Sequence, residues 1–74
     1  MDDAERLAAL LRSLTNITPT AGQVDRIELL RDKAKMFGQA VIESCPDSRE
    51  RSLALTHLEA AVMWAVKSIM VEGA

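Results

Sequence analysis

Two arginines, Arg49 and Arg51, open the last periodic stretch of this chain, in the run Ser48-Arg49-Glu50-Arg51-Ser52. On a helix they occupy the first turn, where unpaired backbone N–H groups and the positive end of the dipole face outward. A cation there is disfavoured by roughly 0.3–1 kcal/mol, so losing either arginine should leave stability unchanged or slightly higher. Pairing with Glu43 or Glu50 makes such a placement tolerable on a surface. It is equally the arrangement an anion site requires, because guanidinium forks and free N–H groups both bind phosphate. Both readings stand at this level. Upstream, Arg26, Arg31, Lys33 and Lys35 share another stretch with Asp25, Glu28 and Asp32 interleaved. Arg26 and Lys33 would share one helical face and Arg31 and Lys35 another, with exposed pairs four apart explaining the carboxylates.

Catalytic chemistry finds no footing. His57 and Cys45 are the only residues from which a nucleophile and its base could be drawn, and no third group is placed to orient the histidine. They read as a helical histidine and a turn cysteine. His57-Leu58-Glu59 lacks the spacing of a helical metal motif. Glu43, Asp47 and Glu50 cluster near the turn, where capping and solvation account for them. Gly22, Gly38 and Gly73 are isolated, so no glycine-rich phosphate loop exists. The expectation is no catalytic residue, no metal and no cofactor.

The chain has 74 residues, one small domain near the lower limit of independent folding. Nine Lys and Arg against eleven Asp and Glu give a net charge of −2, which argues against a polynucleotide partner. Hydrophobic residues make up 49% but include only Phe37 and Trp64 as aromatics, the palette of a helical protein rather than a disordered one. A single cysteine excludes an internal disulfide framework. No uninterrupted apolar run approaches the roughly 18 residues of a membrane span. Asp2 and Asp3 replace the cationic start of a signal peptide. A cytoplasmic protein without a membrane partner is expected.

The apolar spacing predicts an all-α fold. Leu7, Leu10, Leu11 and Leu14 mark a short helix over about 3–14, followed by a connector at 15–20 containing Pro19. Thr20 and Gln23 have capping-box spacing and start a helix over about 21–44, roughly 36 Å long. Its seam reads Ile27, Leu30, Ala34, Phe37 and Val41. Cys45-Pro46-Asp47 forms a turn, since proline disfavours helix before it and lacks a donor. Asp47 with Glu50 is expected to cap a helix over about 48–71, whose seam reads Leu55, Leu58, Val62, Ala65 and Ile69. A short turn between matched helices gives an antiparallel hairpin, with level positions summing to about 92. Ala34 then faces Leu58 and Phe37 faces Leu55.

The last helix carries more apolar surface than one partner covers, with Leu53, Ala60, Met63, Trp64, Val66 and Met70 off its seam. So small a scaffold commonly gains its missing core by closed self-association. A compact three-helix monomer is the alternative. Arg26 stands roughly 30 Å from Arg49 along one hairpin, so a small ligand reaches both only across subunits.

The stretch Pro19 to Ile69 resembles a known family. Pro19-Thr20-Ala21-Gly22-Gln23-Val24-Asp25-Arg26 fits its P-x-x-G-Q-x-x-R motif. The run from Cys45 to Ala65 fits C-P-x-S-R-E-x-S-L-A-L-T-x-L-E-x-A-x-M-W-A. These mark the helical-hairpin domain of the phage anti-CBASS cyclic-oligonucleotide sponges, a domain shared with anti-Thoeris sponges. The resemblance implies a homohexamer that sequesters cyclic di- and trinucleotides without hydrolysing them, in the cytoplasm of the infected bacterial host. Phosphates would then meet Arg49 and Arg51, with Arg26, Arg31 or Lys35 from neighbouring subunits. Gln23 and Thr56 would serve base or ribose hydrogen bonds. No tyrosine exists in this chain to stack on a base. A different class of function is a helical protein–protein interaction module, docking through the broad apolar face of the last helix with its arginines solvated.

Overall fold

A computed structural model of the chain describes residues 2–14 and 18–72. Among these there are three helices and no strand: α1 (Asp3–Leu14), α2 (Ala21–Ser44) and α3 (Arg49–Met70). Residues 15–17 of the expected connector, and Gly73, lie outside the described residues.

Each helix starts at a side chain that occupies its free N–H groups. Asp2 accepts from the Glu5 N–H at 2.7 Å and opens α1. At α2 the Thr20 N–H donates to Gln23 Oε1 at 2.9 Å, and the Gln23 N–H donates to Thr20 Oγ1 at 3.2 Å. This is the reciprocal capping box expected from the spacing. Helix α3 departs from expectation. Ser48, not Asp47, is its cap, accepting from the Arg51 N–H at 3.1 Å. The Asp47 carboxylate instead lies 3.2 Å from the Arg51 guanidinium.

Helices α2 and α3 pack side by side as a hairpin, and Ile27, Val41 and Ile69 are its buried hydrophobic residues. Leu55, Leu58, Val62 and Ala65 are half-buried along the same line. On α2 the seam differs from the expected one. Phe37 is 59% exposed, and Gly38 takes its place against α3, where an added Cβ would meet Leu58 Cδ2 at 3.5 Å. The cause is helical drift. At about 100° per residue Phe37 lies roughly 80° away from Ile27, whereas Gly38 lies within about 20° of it. A repeating three-four pattern of apolar residues therefore leaves the true seam of a straight helix.

The hairpin leaves much apolar surface open. Leu7, Leu10, Leu11 and Leu14 on α1 are all more than half exposed, as are Leu29, Met36, Met63 and Trp64. Total exposed area is 5822 Å², against about 4,500 Å² for a folded monomer of this mass. The radius of gyration is 15.7 Å, against about 11 Å for a compact chain of this length. Helix α3 is also long and apolar enough to cross a membrane by length and composition, with a mean hydropathy of 1.2. The lack of an unbroken apolar run had implied otherwise. After Ser52 its only formal charges are Glu59 and Lys67.

Because Gly38 has ordinary contact space above it, Gly38→Ala should stabilise the hairpin. Removing a helix-interior glycine contributes about 0.5–1 kcal/mol, hence a rise in melting temperature of about 2–8 °C. Gly38→Leu should instead force the helices apart and lower it. Thermal denaturation of both variants checks the seam, and a fall with alanine would place Gly38 in tighter contact than described.

Candidate functional site

The positive side chains divide by whether the backbone already uses them. Arg51 is used. Its side chain is only 21% exposed, and Nη1 donates to Ile42 O at 3.5 Å and to Cys45 O at 3.3 Å. The reason lies in the turn. The carbonyl of Ile42 would ordinarily accept from the residue four along, which is Pro46 and has no N–H. Arg51 supplies a donor there, and Asp47 holds the other side of its guanidinium. Glu43, a proposed partner of the arginines, accepts from Gln39 Nε2 at 2.9 Å instead.

Arg26 and Gln23 are engaged at the opposite end. Gln23 Nε2 donates to Ile69 O at 3.0 Å, so one side chain caps the start of α2 and joins it to the end of α3. Arg26 makes a two-pronged ion pair with Glu72, Nη1 meeting Oε1 and Nη2 meeting Oε2 at 3.1 Å. Hydrogen bonding from Arg26 holds the Glu72 carboxyl below its ordinary range, against a smaller opposing effect of desolvation. The same hydrogen bond raises Arg26. A carboxyl lowered on folding contributes stability above its unfolded value and loses it as pH falls through the folded one.

Four exposed cations of the hairpin, Arg31, Lys33, Lys35 and Arg49, take part in no ion pair among the described residues. Arg6 and Arg12 on α1 are likewise exposed and outside any ion pair. Arg31 and Lys35, four residues apart, flank an open groove of about 320 Å³ floored by Ala34, Leu58 and Val62, with Glu59 on its far rim. Arg31 also borders a second hollow of about 310 Å³, beside Val24, Ile27, Val66 and Met70. Lys33 lies on the other flank with Leu30, Phe37 and Ala61. Arg49 is the first residue of α3, and Thr56 is exposed further along the same helix. Thus Arg31 and Lys35 come together, whereas Arg26 and Arg49 stand at opposite ends of the hairpin. A cationic pair over an apolar floor suits a flat, anionic ligand, with phosphate on the cations and a ring on the aliphatic surface.

His57 and Cys45 are both exposed, and no hydrogen bond joins them. No group of three or more His, Cys, Asp or Glu residues among the described ones is placed to hold a metal.

A family model described as Acb2/Tad1, hairpin domain, matches residues 9–70. The chain belongs to this family, that of the anti-CBASS and anti-Thoeris sponges. Comparison with curated proteins and with solved structures gave no match. The Acb2/Tad1 span begins inside α1, so Leu10, Leu11 and Leu14 fall within the domain, and it ends at Met70, short of Glu72. The groove floor of Ala34, Leu58 and Val62 follows from the expected seams, in which Ala34 faces Leu58. The Arg26–Glu72 pair was not visible in the sequence, because Glu72 lies past the last periodic position.

The two first-turn arginines should separate cleanly on mutation. Arg51→Ala should cost about 1 kcal/mol, lowering the melting temperature by about 4–8 °C, because it strands turn carbonyls. Arg49→Ala should leave it unchanged or slightly higher, by relief of the dipole. Differential scanning calorimetry decides, and equal melting of both variants would remove the structural role given to Arg51.

Proposed function

We propose that the chain is a non-catalytic phage sponge that binds and sequesters cyclic di- and trinucleotides, blocking CBASS-type immunity in the host cytoplasm. The observation that carries this reading is the Acb2/Tad1 hairpin match across residues 9–70. The free cations Arg31, Lys35 and Arg49, and the groove between the first two, support it. Each phosphodiester carries one negative charge, and a planar guanidinium meets it with two donors where a lysine meets it with one. Leu58, Val62 and Ala34 offer aliphatic surface to a base. Gln23, Arg26, Arg51 and Thr56 are further ligand contacts in this reading, the first three through groups that must first release their present partners.

The working form is a homo-oligomer, a hexamer by family. A lone hairpin exposes about 1,300 Å² more than a folded monomer of its mass, comparable with what a protomer buries in a large interface. Other copies, rather than lipid, would cover Trp64, Met63 and the leucines of α1. They would also bring Arg49 of one subunit towards Arg31 and Lys35 of another. A second reading, a docking module for another protein, draws on the same exposed Trp64 and Met63 and requires no small molecule.

Calorimetry with a panel of cyclic di- and trinucleotides tests the sponge, and intact ligand should be recovered after heat denaturation. Arg31→Ala should weaken binding by about one to two decades, the contribution of a charge-assisted hydrogen bond, without lowering the melting temperature. An absence of heat across the panel would turn the argument to the docking module. Light scattering should report a species well above 8.1 kDa. Trp64→Glu should disperse it, since a charge in an apolar contact is costly to desolvate. A monomer at micromolar concentration would sink the shared site.

A further inference from the structure

We propose that Glu72 is a displaceable internal anion, occupying the fork of Arg26 in place of a ligand phosphate and thereby disfavouring anions that carry a single phosphate there. The inference rests on the reading of Arg26 as a phosphate contact. Its basis is geometric. Both carboxylate oxygens of Glu72 meet both terminal nitrogens of Arg26, the two-pronged arrangement by which arginine also holds a phosphate. The pair is open to solvent, with side chains 54% and 45% exposed, so an incoming anion can reach it.

Glu72 is also free to leave. It lies beyond the last residue of α3, in a turn whose N–H reaches Ile69 O at 3.3 Å. Its departure breaks no helical hydrogen bond and empties no core position. Gln23, beside it, joins the helix ends through Ile69 O, a bond in which the Glu72 side chain takes no part. The contrast with Asp47 is instructive. That carboxylate binds an arginine also tied to two turn carbonyls, so releasing it does not free the fork.

An anion competing with Glu72 binds with an affinity reduced by the fraction of Arg26 that is free. Inorganic phosphate or a mononucleotide bears that reduction in full. A ligand with a second phosphate on another cation bears the same factor but starts from a much higher affinity, through effective concentration, and stays bound. Glu72 therefore keeps weakly held single-phosphate anions off Arg26 at concentrations that a ligand with several phosphates outcompetes.

The test titrates inorganic phosphate into the wild type, Glu72→Gln and Glu72→Ala, following the Arg26 side-chain resonance by NMR. Glu50→Gln, at the other end of the hairpin, controls for net charge. Both Glu72 variants should respond at about two- to fivefold lower phosphate than the wild type, the occupancy expected of an exposed ion pair, while Glu50→Gln tracks the wild type. Equal midpoints for wild type and Glu72 variants, or no response of Arg26 in any of them, would overturn the inference. A parallel titration of the wild type with a cyclic dinucleotide keeps the outcomes distinct. Binding there with equal phosphate midpoints leaves the sponge reading standing and removes only the role of Glu72. Absence of cyclic dinucleotide binding with separated midpoints does the reverse.

Discussion

A pair of antiparallel helices shares one seam, and in this hairpin only Ile27, Val41 and Ile69 along it are shielded almost fully from water. Everything else follows from how little a single line of contact can bury. The middle of the seam is built of small residues, Ala34 and Gly38 against Leu58 and Val62, which bring the helices close but add little area. What the seam cannot hold remains outside: the leucine stripe of α1, Phe37 on one flank, Trp64 and Met63 on α3. Burying a large apolar side chain contributes about 1.5–3 kcal/mol, so leaving this many exposed forgoes much of the ordinary driving force for folding. The same thinness leaves open grooves on both flanks of the hairpin, and cations line them.

Ala34 and Gly38 make the middle of the α2 face smooth, and a smooth face fixes register weakly. Directional bonds at the two ends do that work. At the open end, Gln23 spans from its own helix start to Ile69 O. At the closed end, Arg51 reaches back across the turn to Ile42 O and Cys45 O. Sliding one helix by a residue would break both sets together. The two clamps have a common origin in unpaired carbonyls at helix ends, which must find donors when nothing continues the ladder. Pro46 sharpens the demand at the turn by withholding its own.

Those features rooted in local chemistry were legible in the sequence. Thr20 with Gln23 announced the start of α2, Pro46 announced the turn, and the α3 seam from Leu55 to Ile69 was readable from apolar spacing. Features that depend on partners distant in the chain were not. Phe37 stands at a position an apolar pattern selects, but Gly38 occupies the contact, because glycine leaves no mark in a hydrophobic pattern. Ser48 and Asp47 are both good caps, and Ser48 takes the Arg51 N–H while Asp47 pairs with the Arg51 guanidinium. The resemblance led to the family. It carried no information about which arginines the fold would consume.

That last point is what ties fold to site. The chain is acidic overall, with eleven acids to nine cations, and composition alone would let every cation find a carboxylate. Only two ion pairs form among the described residues. One steadies an arginine that the turn already requires, and the other sits just beyond the end of α3. Asp25, Glu28 and Asp32 are interleaved with Arg31, Lys33 and Lys35 in sequence, yet none is paired with them. A net negative protein that keeps cations unpaired beside an aliphatic floor has separated its charges by position, not by number. Pro46 sets that division in motion: it leaves a carbonyl that recruits Arg51, and the positive charge still open to a ligand on the hairpin is then Arg31, Lys33 and Lys35 on α2 and Arg49 at the head of α3.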